Sequence, residues 1–241
     1  MEIVEIGCPR SINLISIPEF KNKYGETKSI MQTIDIYDFV SIKKDINKSL
    51  GVLIISRDNL TNELKNNIRK IINIFSNYIG VFINDITIEI KYDDYIYSKR
   101  EENILAGLLI ALNDYFKVQL TMSELIYLGE KINSFISYYL VGGYKKVLEN
   151  GKFYNIGNNQ YKKYLILNNF STDNIEEYDR LRNYLLNYNN TFLGKNEYIF
   201  IAIKDILKPN FVFSLKKEFS YTSMHILNNV DNHRVLIKYL K

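Results

Sequence analysis

The chain has 241 residues, 46% hydrophobic and 24% charged, with 31 basic and 27 acidic side chains for a formal charge of +4. These are the proportions of a water-soluble globular protein, long enough for one large core or two smaller ones, and the small basic excess is scattered among acids rather than gathered into a nucleic-acid-binding face. The one cysteine, Cys8, excludes an internal disulfide, no Cys/His spacing suits zinc, and no window approaches the ~18 unbroken apolar residues of a membrane span.

The first residues, MEIVEIGCPR, lack the basic start and apolar run of a signal peptide, so a cytoplasmic location is expected. In the first forty residues Ile3, Cys8, Ile12, Leu14, Ile17, Ile34, Ile36, Val40 and Ile42 make short apolar runs broken by Pro9, Pro18 and Gly25. Such runs predict successive strands. Gly51–Ser56 (GVLIIS) predicts another, apolar enough to be covered on both faces. Leu60, Leu64, Ile68, Ile71, Ile72 and Phe75 then share one side of a helix over 60–78, and strict alternation returns at Val81–Lys91, with Ile86, Ile88 and Ile90 inward and Thr87, Glu89 and Lys91 outward.

The stretch Tyr92–Asn113 reads as a strand end, a charged turn and a helix built on Ile104, Leu105, Leu108, Leu109 and Leu112. Phosphate-binding proteins place glycines in such a loop, where unpaired N–H groups cradle an anion. Here the loop from Asp93 to Asn103 has no glycine, and the chain as a whole has only 11. Thr121 and Glu124 form a capping box for a helix reaching about Asn133, and Gly142–Gly143 marks a tight turn or close packing.

A shift to Gly, Asn and Lys between Gly151 and Gln160 sets the expected domain boundary, giving domains 1–156 and 157–241. Beyond it a strand is expected at Tyr164–Leu167 and a helix from Ser171 or Thr172 carrying Ile175, Tyr178, Leu181, Leu185 and Leu186. Helices are expected over 195–208 and 209–219, and two last strands at Tyr221–Leu227 and Arg234–Leu240. This order is that of a small α+β layer with helices on one face of an antiparallel sheet.

Two stretches carry a family resemblance. Cys8–Leu14 (CPRSINL) resembles the PAKINL opening of the GHMP small-molecule kinases. Met31–Asp38 (MQTIDIYD), at the right distance downstream, is similar to the 4-diphosphocytidyl-2-C-methyl-D-erythritol kinases within them. The likeness continues through Asp58–Leu60, Leu105–Asn113, the helix with Ser123, Glu124, Leu125 and Gly129, and Gly142–Gly143, with Ser171–Thr172 at a family helix start. The resemblance implies an α+β, two-domain GHMP-kinase fold: a first domain like domain 2 of ribosomal protein S5, and a ferredoxin-like second domain. It further implies ATP-dependent phosphorylation of a hydroxyl on a cytidine-diphosphate sugar alcohol in non-mevalonate isoprenoid synthesis.

The family's chemical residues are another matter. The lysine of its opening motif falls on Ser11, with Arg10 beside it, and its catalytic aspartate falls on Phe135, so no catalytic residue is assigned. Its glycine-rich loop falls on Ile96–Asn103 (IYSKREEN), where Glu101 and Glu102 occupy the phosphate position; two carboxylates there would each oppose a triphosphate by ~1 kcal/mol or more. The substrate motif reads Lys23-Tyr24-Gly25, and the late glycine loop is replaced by Ile226–His233. The resemblance leaves Asn59, Ser98, Lys99, Arg100 and Asn103 as nucleotide-binding candidates and Asn13 and Tyr24 as substrate-binding candidates, each with a plain structural role as the simpler reading. His225 and His233 align with no nucleophile, and no metal ligands are assigned.

The leading expectation is a pseudokinase: a family homologue that has lost phosphoryl transfer and keeps a binding or regulatory role, with a small nucleotide-like ligand or a protein as partner. One alternative is an active kinase working through Lys99 and Arg100, and only then are ATP and Mg implied as cofactors. Another is a nucleic-acid-binding derivative, prompted by the sequence pI of about 8.8 and the S5-like first domain. The charge pattern disfavours it.

Overall fold

The computed structural model describes residues 3–17, 28–44, 51–93, 101–148, 150–157, 163–167, 193–194, 199–203, 224–228 and 237–240. Two long antiparallel strands, β1 (Ile3–Ile17) and β2 (Lys28–Lys44), form the backbone of the first sheet. Pro9 does not end β1 as the sequence suggested. The register shifts between Pro9 and Ser11 and again between Asn13 and Ile15, so the strand passes the missing N–H by an irregularity instead of stopping.

β3 (Val52–Ser56), α1 (Asn62–Ile79) and β4 (Ile86–Lys91) follow as a strand–helix–strand unit, with β3 parallel to β4. All six apolar positions expected on the inner side of α1 or just before it are buried. The helix starts on Thr61, whose Oγ1 accepts from the Leu64 N–H at 3.0 Å. It ends on Gly80 at φ 68°, a left-handed conformation that glycine adopts without strain. β4 is shorter than the alternation suggested, because 81–85 is a loop. Ile86, Ile88 and Ile90 are buried as expected, but Thr87, expected outward, is buried too.

α2 (Glu101–Tyr115) is buried without a break from Asn103 to Leu112, because it lies against β1 and β2 on one side and α1, α3 (Met122–Glu130) and α4 (Phe135–Val141) on the others. The capping box on α3 is complete, Thr121 with Glu124, but the helix ends at Glu130 and not near Asn133. Tyr138 donates its hydroxyl to the Gly143 carbonyl, and the Gly143 N–H donates to Thr33 Oγ1, so the Gly142–Gly143 turn closes against β2. β5 (Lys145–Leu148) then pairs with the far end of β2, and β6 (Phe153–Asn155) with β5.

Of the later segment, β7 (Lys163–Leu167), β8 (Leu193–Gly194), β9 (Ile199–Ile203) and β10 (Met224–Asn228) form an antiparallel sheet in the order β10-β7-β9-β8. The helix expected over 195–208 is corrected by β9. Its core, IFIAI, is β-branched and aromatic enough to extend when strand partners lie on both sides. The last two strands lie in different sheets. β11 (Ile237–Leu240) crosses to the first sheet and pairs with β1, giving the order β11-β1-β2-β4-β3. The helices expected from Ser171 and over 209–219 lie outside the described residues.

Close approach of α2 to β1 depends on Gly107. A Cβ built there would sit 2.0 Å from Cys8 Sγ. Gly→Ala inside a helix ordinarily gains up to ~1 kcal/mol, but here overpacking decides the sign. Gly107→Ala is expected to destabilise by ~1–3 kcal/mol, with most of the loss recovered in the Cys8→Ala double variant. Urea midpoints of the two single variants and the double check this, and strictly additive losses would remove the clash as the cause.

Candidate functional site

The region to which the sequence drew attention, where β1, the end of β4 and the start of α2 meet, is built around a buried ion pair. Arg10 and Asp38, 1% and 0% exposed, lie on neighbouring strands. Arg10 Nε donates to Asp38 Oδ2 at 2.9 Å and Nη2 to Oδ1 at 2.5 Å, the two-pronged geometry that a planar guanidinium makes with a carboxylate. Nη2 also donates to the Asp93 carbonyl at 3.0 Å, while the Asp93 N–H donates to Asp38 Oδ1 at 3.0 Å. From the first turn of α2, Asn103 Nδ2 donates to Asp38 Oδ2 at 2.9 Å and makes a longer contact, 3.4 Å, to the Cys8 carbonyl. One carboxylate therefore fixes β1, the exit of β4 and the start of α2.

Asn103, a nucleotide-binding candidate, is 2% exposed and serves this network, with its Oδ1 accepting from the Ile104 N–H at 2.8 Å. Asn59 is exposed in the turn before α1. Asn13 sits opposite Met31 in the β1–β2 ladder, its side chain outside the described residues. Tyr24, Ser98, Lys99 and Arg100 lie outside them altogether.

Ser11 turns away from the ion pair, and its hydroxyl lies 2.7 Å from Tyr139 Oη on α4. Both residues are buried. Phe135, which the sequence resemblance set at an aspartate position, opens α4, its N–H donating to Asn133 Oδ1 at 2.9 Å. The two acids of the charged turn are committed as well. Glu101 accepts from the Thr61 hydroxyl at the start of α1, and Glu102 from Asn133 Nδ2 at 3.2 Å. They place negative charge at the positive end of α2, which stabilises the helix and opposes a second anion there.

The electrostatics are those of a closed site. Burial, reinforced by Asp38, pushes the Cys8 thiol well above its ordinary range, so it is no nucleophile at neutral pH. Burial, then the carboxylates of Asp38, Glu101 and Asp58, pushes the Tyr92 hydroxyl up to about 12. Among the described residues no group of three or more His, Cys, Asp or Glu could hold a metal ion. These donors hold one another. Sequence reasoning placed Asp38 in a family motif without a role and took Arg10 as misplaced. The available signal was a charged residue on the apolar alternation of each strand, Arg10 in step with Val4, Ile6, Cys8 and Ile12, and Asp38 in step with Ile34, Ile36, Val40 and Ile42.

This architecture is found in solved structures of two kinases and a decarboxylase. The homoserine kinase of Cytophaga hutchinsonii superposes with a TM-score of 0.68 at 12% identity, over 100% of this chain and 98% of that one. Mevalonate pyrophosphate decarboxylase from Streptococcus pyogenes gives 0.66 at 11%, over 95% and 97%. Mevalonate-3-kinase from Thermoplasma acidophilum gives 0.65 at 10%, over 100% and 99%. At these identities the likeness establishes the fold: the chain has the GHMP-kinase fold. A particular relative in sequence is the 4-diphosphocytidyl-2-C-methyl-D-erythritol kinase of Caldicellulosiruptor saccharolyticus, 30% identical over 130 residues. That match spans 50% of this chain and 41% of the relative, less than half its length. No family model matches the chain. Among the described residues no helix is long and apolar enough to cross a membrane.

Two measurements probe the network. Asp38→Asn leaves the Arg10 charge buried without its counter-charge and is expected to cost ~3–5 kcal/mol. Arg10→Met with Asp38→Leu should cost less than Asp38→Asn, because no unpaired charge remains; chemical denaturation decides, and a larger loss in the double variant would remove the ion pair as the cause. For Tyr92 the fold favours the neutral hydroxyl. Its contribution is therefore complete below the ordinary pKa near 10 and is lost as pH rises through about 12. Tyr92→Phe should flatten the decline in unfolding free energy across pH 10–12, and an unchanged slope would contradict the assignment.

Proposed function

We propose that this chain is a pseudokinase: a homologue of the 4-diphosphocytidyl-2-C-methyl-D-erythritol kinases that no longer transfers phosphate from ATP and acts by binding a small nucleotide-like ligand or a protein. The observation that carries this reading is the pairing of Ser11 with Tyr139 at 2.7 Å. Phosphoryl transfer depends on positioning and on charge stabilisation of a polyanion. At the position where the related kinases carry a lysine, this chain has a buried hydroxyl bonded to another hydroxyl, and neither is charged at neutral pH.

Three further features favour the reading. Phe135 stands at the aspartate position and can neither take a proton nor orient an attacking hydroxyl. Glu101 and Glu102 put two carboxylates in the first turn of α2, where a phosphate would need free N–H groups. Arg10, the nearest fixed cation in β1, is held by Asp38 and the Asp93 carbonyl. Moving it to a ligand would strand a buried carboxylate. The framework that survives, with its helices packed and α1 and α3 capped, suits a protein kept for its surface or for a remaining substrate pocket.

Thermal unfolding with and without Mg-ATP, beside a series of cytidine nucleotides, tests this, together with a phosphorylation assay on 4-diphosphocytidyl-2-C-methyl-D-erythritol. A ligand at ~100 times its dissociation constant adds ~2.7 kcal/mol and moves the midpoint by several degrees. The expected results are no shift with Mg-ATP and no ATP-dependent turnover. A shift with cytidine compounds alone would identify a small-molecule ligand. Turnover above background would overturn the proposal.

A further inference from the structure

The sequence predicted GVLIIS to be covered on both faces. It is not. Val52 and Ile54 pack toward the core, while Leu53 and Ile55 are each 41% exposed. The cause is topological, since β3 ends the sheet and among the described residues its one strand partner is β4. Edge strands in monomeric proteins are commonly protected by charge, proline or a bulge. The five residues of β3 carry none of these. Elsewhere this face of the sheet is charged, with Lys43, Glu89, Lys91 and Glu5 in mutual contact. The apolar strip is confined to β3.

We infer that β3 is a homodimer edge, on which the β3 of a second copy adds in antiparallel register about a two-fold axis through Ile54. The occupant follows from the sequence of the strand itself. A two-fold at Ile54 sets Leu53 against Ile55 of the other copy, twice, on the exposed face, and Val52 against Ser56. Isologous pairing needs this self-complementarity, and cross-strand apolar pairs are what stabilise an added strand.

The charges beyond the strand also match. The same axis sets exposed Arg57 opposite Gly51 of the other copy. Gly51 has no side chain, and a Cβ built on it would meet nothing within 4 Å. The adjoining residue across the sheet is Asp85, whose N–H donates to the Gly51 carbonyl at 3.0 Å. Arg57 can therefore lie over Gly51 and meet Asp85 of the other copy, once on each side of the axis. Such opposite charges at the rim fix register more than they add affinity. Phe82, 83% exposed in the loop that leads into Asp85 and β4, extends the apolar surface at both ends of the joined strands. Because the two-fold consumes both β3 edges, the assembly closes at two copies. This inference stands apart from the loss of phosphoryl transfer, since nothing in it depends on the state of the active site.

Sedimentation equilibrium of the full chain at ~1–100 μM spans the range of ordinary homodimer affinities. A dimer is expected in the upper half of that range. Leu53→Lys and Ile55→Lys should each weaken it by about tenfold or more, since each places charge against the facing side chain. Arg57→Glu should weaken it less. Tyr127→Lys, on exposed α3 away from β3, should leave it unchanged. Exposed positions tolerate these changes, and an unaltered far-UV spectrum verifies folding. A monomer throughout, an open-ended series of oligomers, or a dimer indifferent to Leu53→Lys, Ile55→Lys and Arg57→Glu would each overturn the inference.

Discussion

A carboxylate with no access to water must find its hydrogen bonds inside the protein, and Asp38 finds four. Two come from Arg10, one from the Asp93 N–H and one from Asn103. That count roughly fills the lone pairs of an ionised carboxylate. Each donor residue belongs to a different part of the chain, so the requirement to satisfy one buried charge becomes a requirement on geometry: β1 beside β2, the chain leaving β4 through Asp93, and α2 beginning near Cys8. Hydrophobic packing would hold these elements together without Asp38. It would not by itself fix how far α2 slides along the sheet, because apolar contacts are non-directional.

Positions in such a fold answer to two different constraints. Fold-forming positions here are internal: the isoleucines of β4, the inner stripe of α1, Gly107 against Cys8 and Gly129 against Ile136. Each is fixed by volume, and a change at any of them costs stability. Catalytic positions in a phosphoryl-transfer site are fixed by a ligand instead. Positions held by a ligand can change with no loss of packing, provided the new groups are satisfied. Ser11 is satisfied by Tyr139, and the Phe135 N–H by Asn133.

How much of this could be read beforehand depended on whether the determining contact was local. α1 was legible to its inner residues because a 3.6-residue period is written in consecutive sequence. The capping box of α3 was legible for the same reason. The path of β1 through Pro9, the exposure of Leu53 and Ile55 and the crossing of β11 to the first sheet were not, since strand neighbours are set by tertiary pairing. IFIAI at β9 has no period that separates a buried helix from a strand, and its partners at 163–167 and 193–194 decide it. In the site, Ser11 and Phe135 could be recognised as departures from a motif. The role of Arg10 could not, because its partner is 28 residues away and the carbonyl it also holds is 83 residues away.

The charged turn shows how an absence in sequence becomes a positive feature in space. A loop without glycine that enters a helix leaves first-turn N–H groups needing partners and brings side chains with it. Glu101 and Glu102 use those side chains as ties, one to the Thr61 hydroxyl that caps α1 and one to the Asn133 amide whose oxygen accepts the first N–H of α4. Three helix starts are thereby joined through two carboxylates. In a phosphate-binding protein the anion would do this work, ordering the helix ends when it arrives. Here covalently attached anions tie these helix starts, and their charge opposes a second anion at the start of α2. Building a glycine-lined anion site at α2 would therefore take more than supplying glycines, because both acids would have to go and the starts of α1 and α4 would need new partners.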